Sequence, residues 1–356
     1  MRWEAGFRAR GSAEIAELWQ ERDKGKTVLV GGAGFDPRGP VAYECISQAC
    51  PRPLDAVQIR LEPSPTDTAT KDLADKARKR LETAVEASKA SISEHGVSEA
   101  GASSTALMIV RAFFEAGAID AYDEVVVDVS ALPRTVFFPL IRGILQKIDS
   151  GEWSGELHVV ACDNPKMDAL VTGAGAEPPT ALPGFGARST TNDEETPIWV
   201  PVLGEGETAR VSALYDDIAA EEICPVLPFP AANPRRADDL VREYRELLFE
   251  RIGVEPRNFI YADEANPFDL YRSISRLNER YAEALKPLGD TRMILSAHSS
   301  KLLSVGVLLA AYEHQLEVRH VSPSLYTMGD LGSTSATAED NLLVDLWLAG
   351  EPYACV

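Results

Sequence analysis

The stretch VLVGGAGFDPRGPVAYECI, residues 28–46, decides how the rest of this 356-residue chain is interpreted. A second stretch, VPVLGEGETARVSALYDDI, residues 200–218, aligns with it without a gap, and seven of the 19 aligned positions are identical. Chance would supply about one identity. The identical pairs are Val28/Val200, Val30/Val202, Gly32/Gly204, Gly34/Gly206, Arg38/Arg210, Tyr43/Tyr215 and Ile46/Ile218. The sequence therefore predicts an internal duplication.

The segments that follow the two stretches repeat the same order of apolar strands and amphipathic helices. DAVQIRLEPSP (55–65) corresponds to ICPVLPFPAANP (223–234), and LHVVACDNP (157–165) corresponds to LEVRHVSP (316–323). Between them, a buried strand, a polar turn and an apolar helix are predicted in both halves, at residues 124–145 and 290–311. NFIYADEANPFD (258–269) is expected to add a central strand, whose first-half counterpart near residues 95–102 is polar.

Alternating helices and near-continuous apolar strands are typical of a parallel sheet that is covered on both faces. We therefore expect an α/β protein with two tandem Rossmann-like units, related by the duplication and packed about a pseudo-twofold axis. The expected boundaries are an N-terminal helical edge segment (1–26), unit 1 (27–170), a Gly- and Pro-rich linker (171–197), unit 2 (198–330) and a C-terminal extension (331–356).

Composition excludes several classes of function. The chain has 35 Lys and Arg against 55 Asp and Glu, a formal charge of −20, which disfavours binding to duplex nucleic acid. No apolar run reaches the roughly 20 residues that span a bilayer. The five cysteines form no CxxC pair and the five histidines have no paired-ligand spacing, so we expect no metal site and a reduced, cytoplasmic protein.

Ligands of open parallel sheets bind beyond the carboxyl ends of the strands, in the loops that lead into the next helices. Glycine lets backbone N–H groups approach an anion, and arginine can bind its oxygens. The same glycines also suit an ordinary tight turn, and the serines also suit a helix N-cap. The candidate ligand-binding residues are Gly31, Gly32, Gly34, Asp36, Arg38, Ser130, Arg134, Thr135, Gly204, Gly206, Arg210, Ser296, His298, Ser299, Ser300 and Lys301.

Two further groups stand at predicted helix starts. Arg235 and Arg236 are second-choice phosphate ligands, because two cations are unfavourable at the positive end of a helix dipole unless they meet an anion. The run at 262–272 contains Asp263, Glu264 and Asp269, which could act as acids or bases or bind a metal. For Asp269 the favoured expectation is that it caps the next helix.

The paired loops resemble those of the CARF and SAVED families, Rossmann-like sensors of cyclic oligonucleotides in prokaryotic antiviral systems. VLVGGAGFDPR and VPVLGEGETAR resemble the loop after the first strand. SALPRT and SAHSSK resemble a later GTK-like turn, with Lys301 at the lysine position. The second turn lacks glycines, and Arg134 and Thr135 replace the lysine in the first half. The resemblance implies a nucleotide ligand and a separate effector protein, with no other cofactor.

Two alternatives remain open at this stage. The chain could be an α/β enzyme that acts on a nucleotide or sugar phosphate, with Asp36, Asp263 or Asp269 as its acid. It could also be a non-catalytic scaffold subunit of a complex. The sequence favours a binding protein over an enzyme, because no known catalytic motif, such as a GxSxG elbow, is present.

Overall fold

The computed structural model describes residues 1–22, 25–61, 68–97, 102–187, 195–287, 289–323, 325–329 and 340–353. Parts of the expected linker and C-terminal extension therefore lie outside the described residues. The chain divides into two compact units. The first unit comprises Ala5–Gly175 and Ser324–Val356, and the second comprises Met1–Glu4 and Ala176–Pro323.

Strands and helices alternate along most of the described chain. The strands are β1 (Phe7–Arg10), β2 (Thr27–Ala33), β3 (Leu54–Leu61), β4 (Ile92–Val97), β5 (Glu124–Asp128), β6 (Glu156–Asp163), β7 (Val171–Ala174), β8 (Thr180–Ala181), β9 (Thr196–Val202), β10 (Glu222–Ile223), β11 (Val226–Pro228), β12 (Ile260–Ala262), β13 (Thr291–Ala297), β14 (Glu317–His320), β15 (Leu325–Met328) and β16 (Leu342–Ala349).

The α-helices are α1 (Gly11–Gln20), α2 (Val41–Ala49), α3 (Thr68–Ala87), α4 (Ala102–Glu115), α5 (Arg134–Asp149), α6 (Pro165–Asp168), α7 (Thr208–Ile218), α8 (Arg236–Glu243), α9 (Pro267–Leu285) and α10 (Lys301–His314). A π-helical segment, Glu246–Ile252, follows α8 and ends at Gly253, whose φ is +76°. Among the described residues, no helix has both the length and the apolar character needed to cross a membrane.

The sheet of the first unit has the order β1-β16-β6-β5-β2-β3-β4 in the described part of the chain. Strands β2 to β6 pair in parallel, and β2 is central, with Val30 opposite both Val57 of β3 and Val127 of β5. At one edge, β16 pairs antiparallel with β6, and β1 pairs antiparallel with β16. Segments from both ends of the unit thus extend one edge of the sheet.

The sheet of the second unit runs β12-β11-β9-β13-β14-β8 within the described residues, and the short β10 also pairs with β9. Strands β10 and β11 both pair with β9, one after the other along its length. The break between them lies at Cys224 and Pro225, and proline has no N–H to continue the ladder. The strand β8, from the expected linker, pairs antiparallel with β14.

Both sheets are of the open α/β kind, and their parallel strands follow the same order. Numbered along each unit, the strands lie 3-2-1-4-5: β4-β3-β2-β5-β6 in the first and β12-β11-β9-β13-β14 in the second. This is the Rossmann-like order. The expectation of a central strand at residues 258–269 is wrong, because β12 pairs with β11 and forms the edge of its sheet. Strand β4 occupies the corresponding edge in the first unit.

A buried carboxylate ties the edge of the first sheet to its covering helix. Asp345 of β16 has no exposed surface. It accepts hydrogen bonds from Trp19 Nε1 of α1, at 2.8 Å, and interacts with His158 Nδ1 of β6, at 2.8 Å. The imidazole of His158 stacks on Trp347. Because a buried charge is costly unless it is hydrogen-bonded, this cluster holds α1, β6 and β16 in one arrangement.

We predict that W19F destabilises the first unit more than W153F does. Trp153 is also buried, but its Nε1 donates to a neutral acceptor, the carbonyl oxygen of Tyr122, at 2.9 Å. Hydrogen bonds to charged groups contribute more than neutral ones, so W19F should cost about 1 kcal/mol more in urea unfolding. Equal losses for the two variants would contradict the role assigned to Asp345.

Candidate functional site

The candidate site of each unit lies where the order of parallel strands reverses, between strands 1 and 4. In the first unit these strands are β2 and β5, and in the second they are β9 and β13. The loops that follow them lead to helices on opposite faces of a doubly wound sheet, which opens a crevice at the carboxyl edge. The predicted loop residues of each unit therefore lie at the same edge of its sheet.

The aligned glycines Gly32 and Gly204 are explained by close packing at the carboxyl ends of the strands. A Cβ at Gly32 would lie 2.7 Å from the carbonyl oxygen of Ala131, and a Cβ at Gly204 would lie 2.1 Å from that of His298. Gly34 has open space instead, and Gly206 has a φ of +74°. Gly32 and Gly204 are thus required by the contact with the loop that follows the neighbouring strand, whether or not an anion binds.

Arg38 lies in the crevice loop of the first unit and is only 4% exposed. Its Nε and Nη2 donate to the two carboxylate oxygens of Asp36, at 3.0 and 2.7 Å. Asp36 also accepts from the backbone N–H of Arg38. The third guanidinium nitrogen, Nη1, donates to Asp168 Oδ1 at 2.7 Å, and the Asp168 side chain is 38% exposed. Arg38 is therefore fixed on one side and reaches a solvent-exposed carboxylate on the other.

The electrostatic surroundings keep Arg38 charged. Burial by itself would lower the pKa of its guanidinium, but hydrogen bonding and charge from Asp36, followed by those from Asp168, raise that pKa above its ordinary value. The guanidinium is therefore a permanent cation at the crevice.

In the second unit, the aligned Arg210 belongs to a linked polar chain. Its Nη1 pairs with Glu207, and His298 Nδ1 lies 3.6 Å from the other oxygen of that carboxylate. On its far side, His298 Nε2 lies 3.0 Å from Ser296 Oγ, which also accepts from Trp199 Nε1 at 3.0 Å. Arg210 is the third residue of α7, whereas Arg38 precedes α2, so the two arginines differ in structural position.

Ser296, His298 and Glu207 have the connectivity of a hydrolase triad, in which histidine links a hydroxyl to a carboxylate. Ser296 nevertheless has no exposed surface, since its side chain lies beneath the loops against Trp199. A nucleophile must reach its substrate, so this arrangement describes a structural connection between strand β13 and helix α7. The geometry gives no support to hydrolysis at Ser296.

Helix α8 binds the crevice loop of the second unit from one side. Glu243 accepts from the N–H of Gly206 at 2.8 Å and from Thr208 Oγ1 at 3.1 Å. Tyr244 donates to the carbonyl oxygen of Gly204 at 2.7 Å. Glu243 thus places a carboxylate at the start of α7, the position where an external anion would bind.

Several other predicted residues are engaged within their own units. Ser130 is buried, donates to Asp128 and accepts from the N–H of Cys162. Ser300 caps α10 by accepting from the N–H of Leu303. Arg236 pairs with Glu205 and Glu264.

The remaining predicted residues occupy varied positions. Thr135 and Ser299 are buried, Arg134 and Lys301 are half-buried at the starts of α5 and α10, and Arg235 is exposed. Ligand binding by any of them remains a prediction.

The acidic run lies at the start of α9: Asp263 and Glu264 precede the helix, and Asp269 lies in its first turn and is not its N-cap residue. Asp269 accepts from the N–H of Asp263, at 3.0 Å, and Asp263 accepts from the N–H of Ala265, at 2.9 Å. Glu264 accepts from the N–H of Ala232 and pairs with Arg236. These carboxylates satisfy backbone donors near β12. Within the described ranges, no three His, Cys, Asp or Glu side chains are placed to share a metal ion.

The carboxylates that complete both crevices were missed by the sequence analysis. Asp168 lies 130 residues from Arg38 along the chain, and Glu243 lies 37 residues from Gly206. Neither has a periodicity or motif that marks it. Glu207 lies within the repeated stretch, and its spacing of three residues from Arg210 on a predicted helix was the available signal.

The chain matches no known protein family, and no curated protein matches it in sequence. Solved structures similar to parts of it include the cytoplasmic domain of a prokaryotic cation chloride cotransporter, at 12% identity and a TM-score of 0.26, covering 84% of this chain and 96% of that one. A candidate universal stress protein from Pseudomonas aeruginosa is 11% identical, with a TM-score of 0.23, covering 86% and 95% of the respective chains. At these TM-scores the likenesses carry no functional weight.

We predict that G32A and G204A each lower the free energy of unfolding of their unit by about 1–3 kcal/mol, because an added methyl group forces neighbouring backbone apart. G34A is the matched control and should change it by less than about 0.5 kcal/mol, since its Cβ would meet nothing within 4 Å. Chemical denaturation of the three variants measures this. Equal tolerance of G204A and G34A would contradict the packing explanation.

The pH dependence of stability provides a test of the Glu207 cluster. Burial alone would raise the pKa of Glu207, but hydrogen bonds and positive charge from His298 and Arg210 lower it from 4.5 to about 2. The stabilisation from this carboxylate is therefore complete above about pH 4.5 and is lost as the pH falls towards 2. E207Q should be less stable than wild type at pH 7, and the difference should shrink in acid. A constant difference would contradict this assignment.

Proposed function

We propose that this chain is a nucleotide sensor of the CARF and SAVED type, which binds a phosphate-bearing ligand at Arg38 and acts through a separate effector protein. The observation that supports this most strongly is the state of Arg38 itself. It is a buried, permanently charged guanidinium at the switch point of an open α/β sheet, with one N–H pair fixed by Asp36 and the remaining Nη1 directed to a carboxylate that is 38% exposed. A phosphate oxygen can take the place of that carboxylate.

The shared 3-2-1-4-5 order of both units supports the proposed duplication, from which the resemblance to SAVED derives. The acids that an enzyme would use argue for binding without turnover. Asp36 is bound to Arg38, while Asp263 and Asp269 accept from backbone N–H groups. Each has a structural partner, so a sensor requires fewer changes in this site than an enzyme does.

Thermal unfolding with a panel of linear and cyclic oligonucleotides tests the proposal. A ligand at 100 times its Kd stabilises the folded protein by about 2.7 kcal/mol, which raises the Tm by several degrees. We expect such a shift with at least one member of the panel, and no consumption of that ligand over time. No shift with any nucleotide at millimolar concentration would refute the proposal.

The Arg38 assignment is tested with two arginine variants. R38K keeps the charge but cannot hold Asp36 with a planar fork and still reach the ligand, so it should reduce the ligand-induced shift. R111K is the control, because Arg111 lies on α4 and pairs with Glu115 in an exposed position. An undiminished shift in a folded R38K protein would remove Arg38 from the site.

A further inference from the structure

The two carboxylates on Arg38 differ in how firmly they are held. Asp36 lies in the same turn as Arg38 and accepts from both its backbone and its side chain. Three hydrogen bonds within one turn therefore hold it in place. Asp168 comes from a distant part of the chain and makes a single-nitrogen contact, and its side chain is three times as exposed, at 38% against 12%. Of the two, Asp168 is the carboxylate that a ligand can displace.

Asp168 is the last residue of α6, which has four residues. A helix of this length has no stability of its own, so its position depends on tertiary contacts. Met167 is buried, Lys166 pairs with Asp340 at 2.9 Å, and Asn164 donates to Asn341 at 2.9 Å. The contact between Asp168 and Arg38 is the one among these that connects α6 to the crevice loop.

The chain continues from α6 directly into a small two-stranded sheet. Strand β7 pairs antiparallel with β15, from Val171 opposite Met328 to Ala174 opposite Leu325. Gly329 N–H donates to the carbonyl oxygen of Leu170 at 2.9 Å, which ties the start of this sheet to the end of α6. Strand β7 ends next to Gly175 and β15 begins next to Ser324, where the chain passes between the two units. The β7–β15 ladder therefore joins two of the points at which the chain passes from one unit to the other.

We infer that Asp168 is a tethered competitor of the ligand, and that its displacement from Arg38 by a phosphate oxygen loosens α6 and the β7–β15 ladder. The inference rests on the proposed function for the identity of the anion. The exchange replaces one anionic oxygen on Nη1 by another, so Arg38 stays paired and Asp36 stays in place. The released helix α6 keeps its contacts to residues 340 and 341 but loses its contact to the crevice. Ligand binding thereby increases local mobility at two points where the chain passes from one unit to the other.

Hydrogen exchange of the ligand-free protein tests the coupling without any ligand. D168A removes the contact permanently, so amides of residues 165–174 and 325–329 should exchange at least about threefold faster than in wild type. Amides of β3 should be unchanged. D120A is the matched control, because Asp120 also pairs with a single cation, Lys147, at 3.0 Å, on a different part of the first unit. D168N, which keeps an acceptor oxygen, should give a smaller increase than D168A.

Unchanged exchange in residues 165–174 of a folded D168A protein would overturn the inference, whatever the ligand. Binding supplies the second arm, with the nucleotide that raises the Tm as the probe. Removal of a competing exposed carboxylate should tighten binding by about two- to fivefold, whereas weaker binding in D168A would make Asp168 part of the ligand site and overturn its role as competitor. Faster exchange in D168A without binding of any nucleotide would leave the coupling intact and refute the proposed function alone.

Discussion

At the carboxyl end of β2 the chain passes directly against the loop after β5, and at the carboxyl end of β9 it passes directly against the loop after β13. A glycine lies at each of these contacts. At Gly32 and Gly204 the neighbouring carbonyl oxygens of Ala131 and His298 leave no room for a side chain. This packing explains why both aligned positions are glycine without a ligand, so the charged residues beside them are the stronger candidates for ligand binding.

Those charged residues are arranged differently in the two units. The chain carries a formal charge of −20, and the candidate arginines of both crevices are paired with carboxylates from the chain itself. In the second unit, Glu243 occupies the start of α7, and Glu207 holds Arg210 and His298 together. In the first unit, the outward contact of Arg38 is made by the exposed end of a four-residue helix. The first unit is therefore the better candidate for binding an external anion.

Local patterns were sufficient to predict much of this fold. The repeat and the alternation of apolar strands with helices predicted an α/β protein with parallel sheets, because those patterns report which faces are buried. The predicted central position of β12 was wrong, because the sequence of a short apolar strand does not show which strands lie beside it. Three further features had no local signal in the sequence. They are the π-helical segment after α8, the membership of Met1–Glu4 in the second unit and the antiparallel pairing of β16.

The sequence predicted which loops lie at the carboxyl edge, but it could not predict what those loops contact. Asp168 and Glu243 meet the crevices through tertiary structure, and the hydroxyls of Ser130 and Ser296 proved to be buried between strands. The sequence does not show whether a serine near the end of a strand is buried or exposed, because that depends on tertiary packing. The duplication remains a prediction that the shared strand order supports. The pseudo-twofold relation of the units also stays a prediction.

The most direct test of the central claim is a crystal structure of the protein with the nucleotide that raises its Tm most. The account predicts a phosphate oxygen within hydrogen-bonding distance of Arg38 Nη1, with Asp36 still bound to Nε and Nη2 and with Asp168 moved away. A bound nucleotide elsewhere, with Asp168 still on Arg38, would contradict it.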